Sequence, residues 1–288
     1  MTTASVLISD IRTKVGDASA NFLSTDLALT WLDQGQRKLV QILKPLRHTK
    51  GFVVSANQDY FDVPDNAILI QLALHARDIR RPITRVNIGE FELARSRVQN
   101  ATGYPTIWTE KDGKIYVWPR YNSASLTTTV NATTEASNTT LTLASTGNLR
   151  SYGRAILGSE EVEYRAKTST TLTGVTRGVG GTTAASYASG QTVTQVDFEV
   201  TYSRHAVALA STTEPEIKEV WHEDLQYYVM YLYYMSEGNL DKANAMYALW
   251  KDVLKQAEYT ALRQHIAKPL QVKDFDSQRT YGFWGTTT

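Results

Sequence analysis

The sequence predicts an α+β chain: a helical bundle, built from an N-terminal helix pair plus a long C-terminal helical hairpin, with a small sheet, an inserted all-β domain and an extended C-terminal tail. Three observations predict it. Apolar residues recur at helical spacing in the first 45 residues and again between 213 and 263. Residues 125–196 hold 18 threonines and only 9 charged side chains, in short alternating runs without a helical period. Beyond Pro269 no period remains. The expected organisation is a discontinuous body over 1–124 and 197–263, an inserted domain over 125–196, and an arm over 264–288.

Element by element, Ala4, Ile8, Ile11 and Val15 share one helical face, and Gly16 stands where a left-handed cap ends a helix. A second helix starts at Ser24, whose hydroxyl suits the free first-turn amides, with Asp26 near the positive end of the dipole. Its stripe is Ala28, Leu32, Leu39 and Leu43, and Pro45 stops it. Gly35 lies on that stripe, which predicts the close approach of another backbone. The runs GFVV and DYFDVP around SANQ predict a β-hairpin, and NAILIQLAL a buried strand. A short helix is expected over 89–99. A hairpin follows, turning at Lys111-Asp112-Gly113-Lys114. IYVWPRYN and DFEVTYSR flank the threonine-rich region and read as strands of one sheet that the insert interrupts. Thr213-Glu214-Pro215-Glu216 reads as a capping box that opens a long aromatic helix ending at Gly238. Asn239 or Asp241 then caps its antiparallel partner.

Composition narrows the chemistry. The 288 residues contain no cysteine, which excludes disulfide scaffolds, thiolate metal sites and cysteine nucleophiles. No apolar run reaches the ~18 residues of a membrane span, and the N-terminus does not read as a secretory signal. His222-Glu223-Asp224 lacks the second imidazole of a metalloprotease helix, and the five histidines have no ligand spacing. Arg177-Gly178-Val179-Gly180-Gly181-Thr182-Thr183 precedes no helix, so it reads as a turn rather than a phosphate cradle. Glu160, Glu161 and Glu163 are the one dense acidic cluster of the β region and the only opening for a hydrolase. The expectation is a protein without catalytic residues, metal or cofactor.

Charge is unevenly spread. The total is 30 basic against 29 acidic side chains, yet residues 1–124 carry 16 and 12, while residues 197–263 carry 6 and 11. Glu216, Glu219, Glu223, Asp224 and Asp252 belong to the acidic segment. They read either as solvated helix surface or as a repulsive wall along a DNA path. Arg77, Arg80, Arg81 and Arg85 read either as a solvated strand edge or as a contact with an acidic neighbouring subunit. Phe275, Tyr281, Phe283 and Trp284 make the tail costly to leave in water, so a partner is expected to cover it. Tyr152, Tyr164 and Tyr187 are the aromatic contact candidates of the β region.

The order of QDYFDVPDN, RRPITRVNIGEFE, TGYP, a strand ending in Trp118-Pro119, DFEVTY and an aromatic helix pair resembles the head-to-tail adaptor (connector) proteins of tailed bacteriophages. The helix LTWLDQGQRKLV is similar to one in that family. Residues 4–124 and 197–263 follow the outline, and 125–196 depart from it, with TLTGVTRGVGGTTAASYASGQTV similar to β repeats of phage tail and fibre proteins. The resemblance implies a virion protein of the neck between head and tail, assembled in the host cytoplasm as a homo-oligomeric ring of about twelve copies. It implies a portal protein as partner for the C-terminal arm, a tail nozzle or fibre protein as partner for the insert, and transient passage of double-stranded DNA through the ring. The alternative is a fibre-base protein that binds a host surface glycan through the insert.

Overall fold

The computed structural model describes residues 2–76 and 81–266. It divides into two compact units, one of residues 1–46 and 205–288, the other of residues 47–204. The boundaries expected at 124/125 and 196/197 both fall inside the second unit.

The first unit is helical. Helix α1 (Ala4–Val15) ends on Gly16 at φ 81°, and α2 (Thr25–Leu43) starts on Ser24, whose hydroxyl accepts from the Leu27 amide at 3.2 Å. Between them Asp17 accepts from the amides of Asn21, Phe22 and Leu23. Those amides, Leu23's foremost, outweigh desolvation and hold its carboxyl below the ordinary range, with a smaller contribution from the Arg12 guanidinium. Gly35 does sit at a close approach, but to side chains: a methyl there would lie 3.1 Å from the Tyr228 ring and 3.2 Å from Leu225.

In the second unit the chain forms β1 (Arg47–Phe52), β2 (Tyr60–Asp62), β3 (Ala67–His75) and β4 (Arg81–Arg85), then α3 (Ile88–Arg97). Asn87 and Glu90 close a capping box on α3. Strands β5 (Thr102–Gly103), β6 (Ile107–Lys111), β7 (Lys114–Trp118) and β8 (Arg120–Tyr121) follow. The β6–β7 turn carries Asp112 at φ 52° and Gly113 at φ 72°, the left-handed pair that a tight hairpin wants. The threonine-rich region supplies β9 (Thr127–Thr129), β10 (Thr140–Thr142), β11 (Gly153–Leu157), β12 (Glu160–Tyr164), β13 (Ala166–Lys167), β14 (Thr171–Thr173), β15 (Thr176–Val179) and β16 (Thr192–Gln195). Strand β17 (Phe198–Arg204) closes the unit. In the first unit α4 (His222–Ser236) and α5 (Leu240–Ile266) then run antiparallel, with Tyr228 against Trp250 and Tyr231 against Tyr247.

This corrects the predicted fold class. The chain is not a helical bundle with a small sheet and a long C-terminal hairpin, because strand (30%) nearly equals helix (32%) and several sheets are present. The largest is a curled seven-stranded sheet in the order β1-β17-β3-β4-β6-β7-β2. It gathers strands from both sides of the threonine-rich region around Phe61, Trp108, Val117, Phe198 and Val200. Such long-range pairing leaves no local period to read. The long helix expected from Thr213 is also shorter. Thr213 bonds back to Ala210, the Glu216 amide donates to Gln36 Oε1 at 2.7 Å, and α4 begins only at His222. The extended tail beyond Ile266 lies outside the described residues.

The hairpin expected from GFVV and DYFDVP is absent as well. Among the described residues β1 pairs only with β17 and β2 only with β7, so the two are opposite edges of the sheet. The segment between them is held elsewhere: the Val54 amide donates to Ser125 Oγ and the Asn57 amide to the Tyr121 carbonyl. NAILIQLAL forms most of β3, but it is not buried throughout: Ile70 and Ala73 are buried, while Gln71 and Leu72 between them are exposed. Strands β15-β12-β11-β16-β9 form a five-stranded sheet and β10-β14-β13 a three-stranded one, around a separate core of Leu141, Leu157, Val162, Leu172 and Val193.

Candidate interaction surfaces

The basic residues of β4 go to different places. Arg81 lines a cleft of about 490 Å³ with His75, Pro82, Thr84, Tyr104 and Pro105, where His75 and Tyr104 lie 4.5 Å apart as tilted rings. Arg85 spans the Trp108 ring at 5.1 Å and approaches Glu110 at 3.6 Å, so it has a local partner. Arg77 and Arg80 lie outside the described residues, as do Phe275, Tyr281, Phe283 and Trp284.

The acidic candidates divide similarly. Glu216 is loop scaffold, its carboxylate accepting from the Val207 amide at 2.7 Å. Glu219 is exposed in the short turn before α4. Glu223 and Asp224 share the first turn of α4, where their charge suits the helix dipole. Desolvation, then the neighbouring Glu223, holds the Asp224 carboxyl above the ordinary range. Asp252 is exposed on α5, 3.3 Å from Lys255.

The acidic cluster of the β region is internal. Glu160 is fully buried and accepts both Nε and Nη2 of Arg177, plus the amides of Gly178 and Ala185. Burial alone would raise its carboxyl, but Arg177 and the two amides together hold it below the ordinary 4.5. The glycine-rich run is thus a turn gathered around a carboxylate. Gly180 is required there, since its φ is 65° and a methyl would fall 2.0 Å from Glu161 Oε2. Glu161 is also buried and accepts from Arg154 at 2.8 Å and from the Gly51 amide at 3.0 Å. Arg154 in turn donates to the Thr49 carbonyl and reaches Glu163 at 3.2 Å. Charge in this cluster fixes the threonine-rich sheet to β1.

Among the three tyrosines only Tyr152 is a surface group, 58% exposed. Tyr164 is buried, donates to the Arg150 carbonyl, and has its hydroxyl pushed up to about 12, chiefly by desolvation. Tyr187 packs on Gly158, where a methyl would meet its ring at 2.6 Å. Of the three candidates for a glycan contact, Tyr152 is thus the one at the surface.

Two features escaped sequence reasoning. The first is the opposition of β1 and β2 across a cleft of about 420 Å³, whose lining includes Lys50, Val53, Asp62 and Asp65. The second is the concentration of exposed apolar side chains on the helical unit. That unit holds eleven of the twenty large apolar residues exposed among the described residues, including Phe22, Val220, Tyr259 and Leu262. The odd positions at which helical stripes spill onto the outer face were a readable signal for it. No helix among the described residues is long and apolar enough to cross a membrane, so these groups are not a bilayer span.

No curated protein matches the chain. A family model, that of the SU10 adaptor protein, matches residues 2–166. The match crosses residue 125 and continues through β12, while 197–263 lie beyond it. With more than half of its length covered by that model, the chain belongs to the SU10 adaptor protein family and is a phage head-to-tail adaptor.

Proposed function

We propose that this structural adaptor assembles as a ring of about twelve copies beneath the phage portal, where it extends the DNA channel for genome retention and ejection and offers a docking surface to a tail nozzle or fibre protein. Its function is assembly rather than turnover, and its place is the virion neck. Family membership carries this reading. The exposed apolar groups of the helical unit support it, because a ring subunit needs two unlike faces that are covered only in the assembly. In the same reading the aromatic arm, with Phe275, Tyr281, Phe283 and Trp284, docks on the portal. Negative-stain imaging and light scattering of the protein mixed with its portal test the proposal. Rings capping the portal are expected; a chain that stays monomeric and never binds portal would sink it.

A further inference from the structure

Strands β1 and β2 are joined by only seven residues, yet they do not pair. The sheet curls until these two edges face each other. Phe52 and Phe61 meet at 5.3 Å between ring centroids, and beside them lies the cleft of about 420 Å³. An edge with free amides and carbonyls is a template for another strand, and proteins commonly cover it. Here the cover is partial. Arg154 and Glu161 satisfy β1 at Thr49 and Gly51, and the Gln58 side chain satisfies the Tyr60 carbonyl on β2. The cover on β1 stops at Gly51; Val53 beyond it is 40% exposed, and among the described residues no strand lies on the outer side of either edge. The walls have opposite signs, with Lys50 on β1 and Asp62 and Asp65 on and after β2, while Val53 and Val63 supply apolar surface between them.

An occupant should therefore be extended, apolar in the middle, and carry charges of both signs. The chain carries such a segment just after α5. In Lys268-Pro269-Leu270-Gln271-Val272-Lys273-Asp274 the alternate positions read Lys268, Leu270, Val272, Asp274: a cation, two apolar residues and an anion on one face of a strand. Pro269 falls on the other face, near the segment's start, where a strand tolerates it.

We propose that the β1–β2 seam receives residues 268–274 of a second copy of this chain as an added strand, leaving Phe275 onward for the portal. The choice of a second copy rests on the ring reading above, since an arm passed from each subunit to the next is a heterologous contact that closes into a ring.

Two measurements separate the seam from the ring. A fluorescent peptide of residues 266–277, titrated into the full chain, reads the seam alone. Saturable binding is expected, weakened about tenfold by Asp62→Lys, with the fold of that variant checked by circular dichroism; a peptide that does not bind, or binds Asp62→Lys equally well, overturns the seam. The absence of native cysteine then allows a clean cross-link. Val53→Cys and Val272→Cys chains, mixed and assembled on portal, should form a disulfide-linked pair at about ten times the yield of Tyr152→Cys with Val272→Cys. Equal yields, in rings that do form, overturn the seam and leave the ring reading intact. A double variant that closes its disulfide within one chain, without linked pairs, overturns the exchange between copies.

Discussion

Glu160 shows how the threonine-rich region tolerates a charge in its interior. Its side chain and that of Arg177 are 0% and 6% exposed, so both are largely stripped of water. Desolvation at that depth is costly, and the pair persists because the carboxylate accepts four hydrogen bonds and Arg177 donates further to the carbonyls of Glu135 and Ala185. Removing one partner leaves the other buried and uncompensated. Glu160→Ala should therefore cost about 3–5 kcal/mol in urea unfolding, whereas Glu163→Ala, at a half-exposed carboxylate, should cost under about 1 kcal/mol. A pH dependence follows with a definite sign. The folded-state carboxyl of Glu160 lies below its ordinary 4.5, so its contribution is fully present above 4.5 and is lost as pH falls through the lower, folded value. Melting of the wild type and of Glu160→Gln between pH 7 and pH 3 should show a stability gap that is constant above about pH 5 and narrows below it. A gap that widened on acidification would contradict the assignment.

Among the elements, α2 is the one whose local signals and tertiary contacts can be set side by side. Its cap at Ser24 was legible because Ser-Thr-Asp states a helix start within three residues, and the Gly16 cap and the Asp112-Gly113 turn are equally local. Gly35 was legible as a contact but not in its partner, since Tyr228 is remote in sequence. Tyr228 has little room to retreat: Lys38 Nζ sits 4.2 Å from its ring centroid and 3.0 Å from its hydroxyl, and Trp250 lies 5.2 Å away. Gly35→Val should therefore destabilise by about 1–3 kcal/mol through overpacking, although valine is the better intrinsic helix former; thermal unfolding of the variant checks it. The same distinction between local and remote explains the rest. Thr213-Glu214-Pro215-Glu216 states a capping box, but the Glu216 amide is taken by Gln36, 180 positions away, and α4 starts seven residues after Pro215. GFVV and DYFDVP state a hairpin, but β17 and β7 claim the two strands. Of the candidate contact residues, exposure at Tyr152 and burial at Tyr164 were indistinguishable by pattern, because Tyr152 directly precedes β11 and Tyr164 is the last residue of β12, at the same end of the pair.

For the whole molecule, the charge polarity seen along the sequence changes once the chain is grouped by its compact units. Most of that acidity, the −4 of residues 205–263, shares a unit with the basic residues of α1 and α2. The helical unit then carries 13 basic and 15 acidic side chains, and the unit of residues 47–204 carries 17 and 14. A difference between −2 and +3 is a weak handle for one subunit to grip the next. Exposed ion pairs contribute about 0–1 kcal/mol each and are screened beyond about 8 Å at physiological salt. The apolar groups left exposed on the helical unit are the stronger resource, since each large side chain covered contributes about 1.5–3 kcal/mol. Assembly driven by them should depend only shallowly on ionic strength. Light scattering of rings formed on portal at 50 and 300 mM salt is expected to show assembly midpoints within about a factor of ten. Val220→Ser together with Leu262→Ser should shift the midpoint by more than that, because together they remove two of the most exposed apolar groups of the helical unit while leaving every charge in place. A steep salt dependence, with those two variants assembling like the wild type, would return the subunit contact to charge and point back to Arg81 and its neighbours on β4.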